Sequence, residues 1–260
     1  MIDILTPPRV GRRAIRVWQR NRDVWYKLYL ASLVGNLGEP ILFLLAFGLG
    51  LSRFVSEVDG MPYIKFIAPG LIVSAAMNAS AFECTFGSFI RMTEQKTYDA
   101  IMVTPVSIEE VAAGDIMWGM SKGFISAVII MPVFVIAGLM DSPWLVLVPV
   151  LALLVGLMVS SMSLVVTAFA PSFEFFTYYF TLVISPMFFF SGVFFPLSAM
   201  PAWVGRLAWF FPLTHAVNVT RGLASGNLAP SLIGDTAWMV VFTFVMTWVG
   251  IKLIKRRLIK

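Results

Sequence analysis

Apolar residues fall in six long runs, roughly 29–52, 62–87, 116–139, 144–169, 174–195 and 232–252. Each is long enough to cross a hydrocarbon core of about 30 Å as a helix. The pattern therefore predicts an all-α polytopic membrane protein with six transmembrane helices, built as one membrane domain over residues 29–260. Two segments depart from it. Over residues 1–28, Val10, Ala14, Val17, Trp18, Val24, Trp25 and Leu28 share a helical arc of about 120°, while Arg9, Arg12, Arg13, Arg16, Arg20 and Lys27 share another of about 100°. That segregation predicts an amphipathic helix lying on an anionic membrane surface, with Ile15, Arg22 and Tyr26 off the pattern. The second departure is residues 187–226, where Pro196, Pro201 and Pro212 interrupt helix while Trp203 and Trp209 favour the headgroup region. Short half-helices dipping into one leaflet are expected, as a re-entrant segment over 196–226. Such backbone is tolerated at membrane depth only where protein or a water-filled cavity satisfies its polar groups.

Composition agrees, since 59% of the residues are hydrophobic and 13% charged, with a mean hydropathy of +0.87; soluble domains carry about 25% charged residues. The longest polar segments are the first 28 residues and the loop from Ser88 to Asp115, which excludes a soluble catalytic domain within these residues. The single cysteine, Cys84, can form no intrachain disulfide and reads as packing. The first apolar run lies too far along for a removable signal peptide and is expected to stay as an anchor. Counted over six spans, fourteen Lys and Arg residues fall on the side of the termini and four, Arg53, Lys65, Arg206 and Arg221, on the other. By the positive-inside rule both termini are expected to be cytoplasmic and residues 196–226 external. Lys122, just inside the third span, can snorkel to the interface.

The cytoplasmic loop 88–115 mixes charges with Tyr98, Ile101, Met102 and Val103, and Pro105 stops its first half. Ser107 followed by Glu110 has the spacing of a capping box, so two short helices are expected. Apolar side chains exposed among charges suit docking of a soluble partner, against the plainer reading of a solvated connection. Ionisable residues inside the spans are costly and suggest function. Glu39 precedes Pro40 beside Gly35, Asn36 and Gly38, where a kink could aim the carboxylate into an interface or cavity; holding helices together is the alternative. Glu83 suits either positioning of the loop or substrate contact, and Glu174 caps its helix. Eleven aromatics stand among the 23 residues from Phe173 to Phe195, including Phe175, Phe176, Tyr178, Tyr179, Phe188, Phe189 and Phe190. They read as core and lipid contact, or as rings lining a path on which sugars stack and acyl chains slide. His215 is the sole histidine. The surrounding segment offers Arg206, Thr214, Asn218 and Arg221 but no carboxylate before Asp235, so a non-catalytic interfacial histidine near Arg221 is expected.

The stretch from Tyr63 to Gly123 resembles the corresponding part of the nodulation protein J group of type-2 ABC exporter membrane subunits. The segments FFFSGVFFPLSAMPAW and PLTHAVNVTRG resemble the same family's outer segment, so the likeness covers essentially the whole chain. It implies a homodimer joined to two copies of an ABC ATPase in a bacterial inner membrane, exporting an amphiphilic glycan: a lipo-oligosaccharide, glycolipid or polysaccharide. It also implies that Arg91, Glu94, Tyr98, Asp99, Met102 and Pro105 lie at the ATPase contact. The first and fifth spans of such exporters border the gate, which makes Glu39, Glu83, Phe175, Tyr178, Tyr179, Phe188 and Phe189 candidates for the path. Pro196, Pro201, Trp203, Pro212, His215 and Arg221 would then belong to a segment closing the exit. No phosphate-cradling G-x-x-x-x-G-K-[ST] loop occurs, so no cofactor or metal is expected in this chain, and ATP and Mg belong on the partner. Membrane lipids are the other expected partners, and nucleic acid is not one. The rival readings are a drug or lipid exporter subunit, an integral-membrane lipid-modifying enzyme relying on His215, and an ion-coupled transporter, for which no internal repeat is evident.

Overall fold

The computed structural model describes residues 6–27, 29–55 and 57–259, with the side chains of all of these except residues 31–37 and 53. Leu28, Lys260 and the side chains of Asn36 and Arg53, all used above, lie outside the described residues. In chain order the elements begin with α1 (Ala14–Tyr26) and α2 (Tyr29–Phe43), which runs into a π-helical turn at Leu44–Leu49. A small antiparallel hairpin follows, β1 (Glu57–Val58) with β2 (Met61–Pro62), turned by Asp59 and Gly60 at φ 51° and 75°. Next come α3 (Tyr63–Phe82), α4 (Thr97–Met102), α5 (Ile108–Ile136) and α6 (Val148–Phe169). The fifth apolar run forms α7 (Glu174–Tyr179) and α8 (Ser185–Phe190) with a π-helical turn between them. Two short helices, α9 (Ala202–Ala208) and α10 (Pro212–Ser225), precede α11 (Ser231–Leu258).

Among the described residues four helical stretches are long and apolar enough to cross a membrane: Tyr63–Glu94, Ile108–Ile136, Pro143–Phe169 and Ser231–Leu258. The fifth apolar run yields a shorter apolar helix, Glu174–Phe190, and the first forms α2 together with its π-helical turn, continuous in backbone from Tyr29 to Leu49. The fifth stops short of the expected residue 195 because Gly192 takes φ 79° and turns the chain. In the first, Pro40 removes a backbone donor and the helix continues into the wider π turn.

The loop expected over 88–115 is much shorter. The α3 stretch continues through π-helical turns to Glu94, and the capping box at Ser107 starts the helix that becomes the third span. Ser107 Oγ accepts from the Glu110 amide at 3.2 Å, and Glu110 returns a carboxylate to the Ser107 amide at 2.8 Å. So the second of the two expected short helices is the first turns of α5, and α4 alone is a separate short helix.

The centre of the molecule is α3, α5 and α6, with α10 and α11 packed against them. Small residues let these backbones approach, the usual device where no hydrophobic effect separates helix from lipid. A Cβ on Gly123 of α5 would lie 2.9 Å from the Ala76 carbonyl of α3 and 3.2 Å from Gly156 of α6. A second apolar cluster unites one end of the bundle, bringing Ala14 and Val17 of α1 together with Phe89, Tyr98, Ile116, Phe176 and Ile251. The apolar arc of α1 therefore packs on this chain's own helices through its centre, while Val10 and Val24 stay exposed.

Candidate functional site

At that end of the bundle a carboxylate two turns into α5 gathers donors from three other segments. Asp115 is fully buried and accepts from Asn21 of α1 at 2.7 Å and from Ser88 at 2.8 Å. Arg91 donates to it from Nε at 3.3 Å and from Nη2 at 3.1 Å, and Tyr98 of α4 donates its hydroxyl. Arg91 also donates to Glu83 at 2.6 Å. Charged hydrogen bonds of this kind are stronger than neutral ones, and the pairing makes the burial of Asp115 tolerable. Burial and the adjacent Asp115 charge push the Tyr98 phenol well above its ordinary range, so it remains a donor. The two π-helical turns at Glu83–Gly87 and Ile90–Glu94 occupy the stretch that presents Glu83, Ser88 and Arg91, in keeping with the recurrence of such turns at working sites.

These contacts change the placement of the loop residues. Tyr98 is buried in the Asp115 node and Arg91 is largely buried there with it. Glu94, Asp99 and Pro105 are exposed, Met102 is half-buried, and Val103 at the tip is 88% exposed. Glu109, in the first turn of α5, binds Lys252 at 3.2 Å and Lys255 at 3.1 Å and accepts from the Arg9 amide at 2.7 Å. Arg9, near the start of the described residues, and the last turns of α11 thus meet at Glu109.

A separate crevice of about 140 Å³ lies between α2, α3 and the α7–α8 segment, lined by Glu39, Asn78, Phe82, Phe180, Ser185 and Phe188. Asn78 donates to both Glu39 oxygens at 3.4 Å. Of the residues proposed for a path, Glu39 and Phe188 meet here, and Phe189 is exposed next to Phe188 with ring centres 5.2 Å apart. The others do not join them. Glu83 belongs to the Asp115 node, and Phe175 packs on the second apolar cluster. Tyr179 is buried and bonded to Ser163 at 3.0 Å, whereas Tyr178 faces outward at 65% exposure. The rotation of about 100° between successive residues of one short helix separates two adjacent tyrosines that sequence alone treats as a pair.

The proline-broken segment forms α9, which exposes Trp203 beside a half-buried to exposed run of Pro196 and Pro201, and α10, whose Pro212, His215 and most other residues are buried. His215 lies beside Asp235 rather than Arg221: Nδ1 is 2.6 Å from the Asp235 carboxylate and Nε2 is 2.8 Å from the Trp209 carbonyl. The carboxylate judged too distant in sequence is brought in by α11. Both ring nitrogens thus lie within hydrogen-bond distance of an oxygen of this chain. Arg221 instead donates to the Gly192 carbonyl at 2.7 Å and the Phe66 carbonyl at 3.3 Å, stapling the turn after α8 to α3.

This arrangement defines a helical multi-pass membrane protein whose inner polar node reaches an exposed loop suited to a partner. Residues 14–224 match the family described as ABC-2 type transporter. The chain is 36% identical over 254 residues to nodulation protein J of Rhizobium meliloti, spanning 96% of each protein. It is 35% identical over 260 residues to nodulation protein J of Rhizobium leguminosarum bv. viciae, spanning 99% of each. More distantly, it is 22% identical over 241 residues to the inner membrane transport permease YadH of Escherichia coli, covering 92% of this chain and 93% of that one. The chain belongs to the ABC-2 type transporter membrane family, alongside the nodulation protein J proteins. It is accordingly a transport subunit and not an enzyme, one that pairs with an ABC ATPase.

Proposed function

We propose that this subunit works as a homodimer with two ATPase copies in a bacterial inner membrane and moves an amphiphilic glycan from the cytoplasmic side outward. In this reading both termini and α4 face the cytoplasm, six apolar runs cross the membrane, and α9 and α10 form a re-entrant element at the outer face. ATP and Mg act on the partner, which grips the loop around Val103. The observation that carries the proposal is the Asp115 node: it joins α4, next to the exposed loop, to α1, α3 and α5 through buried charged hydrogen bonds. A push on the loop is thereby passed to the helices rather than absorbed locally. The crevice between α2 and α8 supports the choice of cargo, since ring faces beside a carboxamide and a carboxylate suit sugars attached to an acyl chain. Mass spectrometry of membranes from a strain lacking the subunit tests it. A glycolipid should build up on the cytoplasmic side and clear on complementation, and an unchanged glycolipid profile would sink the cargo assignment.

A further inference from the structure

Residues 6–13, which precede the stretch matching the transporter family, lie against the start of α5 and the exposed loop. The Arg9 amide donates to Glu109 at 2.7 Å, and the Thr6 hydroxyl accepts from Lys252 at 3.3 Å. Arg13 donates from Nη1 to the Pro105 carbonyl, two residues from the Val103 tip. Between these anchors the backbone comes in close at Gly11, where a Cβ would stand 2.5 Å from Glu110 Oε1. Pro7 and Pro8 fix their own φ and stiffen the strap so formed. Its outward side chains are basic: Arg9, Arg12 and Arg13 are exposed, with Val10 exposed among them. Among the described residues none of the three arginines has a carboxylate within ion-pair distance. Glu109 is engaged by Lys252 and Lys255, so Glu110 is the one carboxylate beside the strap without a cation, and the patch stays net positive.

We propose that residues 6–13 enlarge the contact with the ATPase, and that the ATPase meets Arg9 and Arg12 with an acidic surface. The inference rests on docking at Val103 as proposed above. Continuity carries it, since a subunit gripping Val103 reaches Pro105, and Arg13 is bonded to that residue. Anionic lipid is the other answer to unpaired cations. In α1, which follows the strap, however, Ala14 and Val17, the side chains that would enter lipid, are packed on this chain's own helices. Cations at the edge of a protein contact act mainly on the rate of association, by steering an oppositely charged partner.

Biolayer interferometry between the ATPase and the purified full chain, in neutral detergent without added lipid, tests it. Wild-type association should slow as salt rises, because salt screens exposed charges. An Arg9→Gln, Arg12→Gln double variant should associate about fivefold more slowly at low salt and lose most of that salt dependence. Its dissociation and thermal unfolding should stay close to wild type, because both side chains are exposed. Val103→Asp should instead speed dissociation. Weakened binding by Val103→Asp with wild-type association of the double variant would overturn the part given to the strap and leave docking at the loop standing; no effect of Val103→Asp would sink the docking itself. A defect of the double variant that emerged only after phosphatidylglycerol was added would assign the arginines to lipid and overturn the proposal.

Discussion

Asp115 accepts from Asn21, Ser88, Arg91 and Tyr98 at once, so each partner's removal has a different expected size. Asp115→Asn leaves Arg91 with Glu83 alone and should lower stability by about 3 kcal/mol, the scale for breaking a buried pair. Paired with Arg91→Gln the losses should be far from additive, which a double-mutant cycle of thermal unfolding in detergent measures. Tyr98→Phe removes one neutral donor and should cost about 1–2 kcal/mol. Its pH dependence has a definite sign. Burial and Asp115 raise the phenol in the folded state, so its contribution is complete below the ordinary phenol value of about 10 and is lost only as pH rises beyond it. The stability difference between Tyr98→Phe and the wild type should therefore be the same at mildly acidic and mildly alkaline pH, and a difference that varied across that window would speak against a buried hydroxyl donor. Asp115 was legible only in part. It stands at the edge of an apolar run, where a charge could equally close a loop, and the capping box that places it two turns inside a helix has to be followed through to see this. Asn21 left a clearer mark, as the one polar residue in the middle of the apolar arc of α1.

Exposure divides α4 and its loop into an inner and an outer face, and the two should respond differently. Val103→Asp puts a charge on a bare apolar tip and should leave stability within about 0.5 kcal/mol while reducing recovery of the ATPase in pull-downs; undiminished recovery would move the contact elsewhere. In the fifth apolar run, Tyr179→Ala should lower protein abundance because it empties a core position and frees Ser163, whereas Phe189→Ala, at an exposed position, should lower export at nearly wild-type abundance. Comparing the two by blotting and export separates packing from path. Sequence located this run and its aromatic density but could not phase it, since the π-helical turn at Phe180–Ile184 shifts every later side chain around the axis. Likewise the breaks at Pro196, Pro201 and Pro212 were readable from proline chemistry, whereas the pairing of His215 with Asp235 depends on how α10 and α11 pack.

Across the whole molecule, the hydrophobic pattern carried the architecture because lipid demands long apolar helices, and four of the runs formed them outright. The first and fifth runs each carry a π turn, and they border the same crevice. The Asp115 node lies elsewhere, at the link from partner to helices. The most direct measurement is transport per ATP hydrolysed in vesicles reconstituted with the ATPase, comparing wild type with Tyr98→Phe. Because that change removes only the bond from α4 to Asp115, hydrolysis and assembly should persist while transport per ATP falls about fivefold or more. Wild-type transport per ATP in the variant would show that force reaches the helices without the Asp115 node.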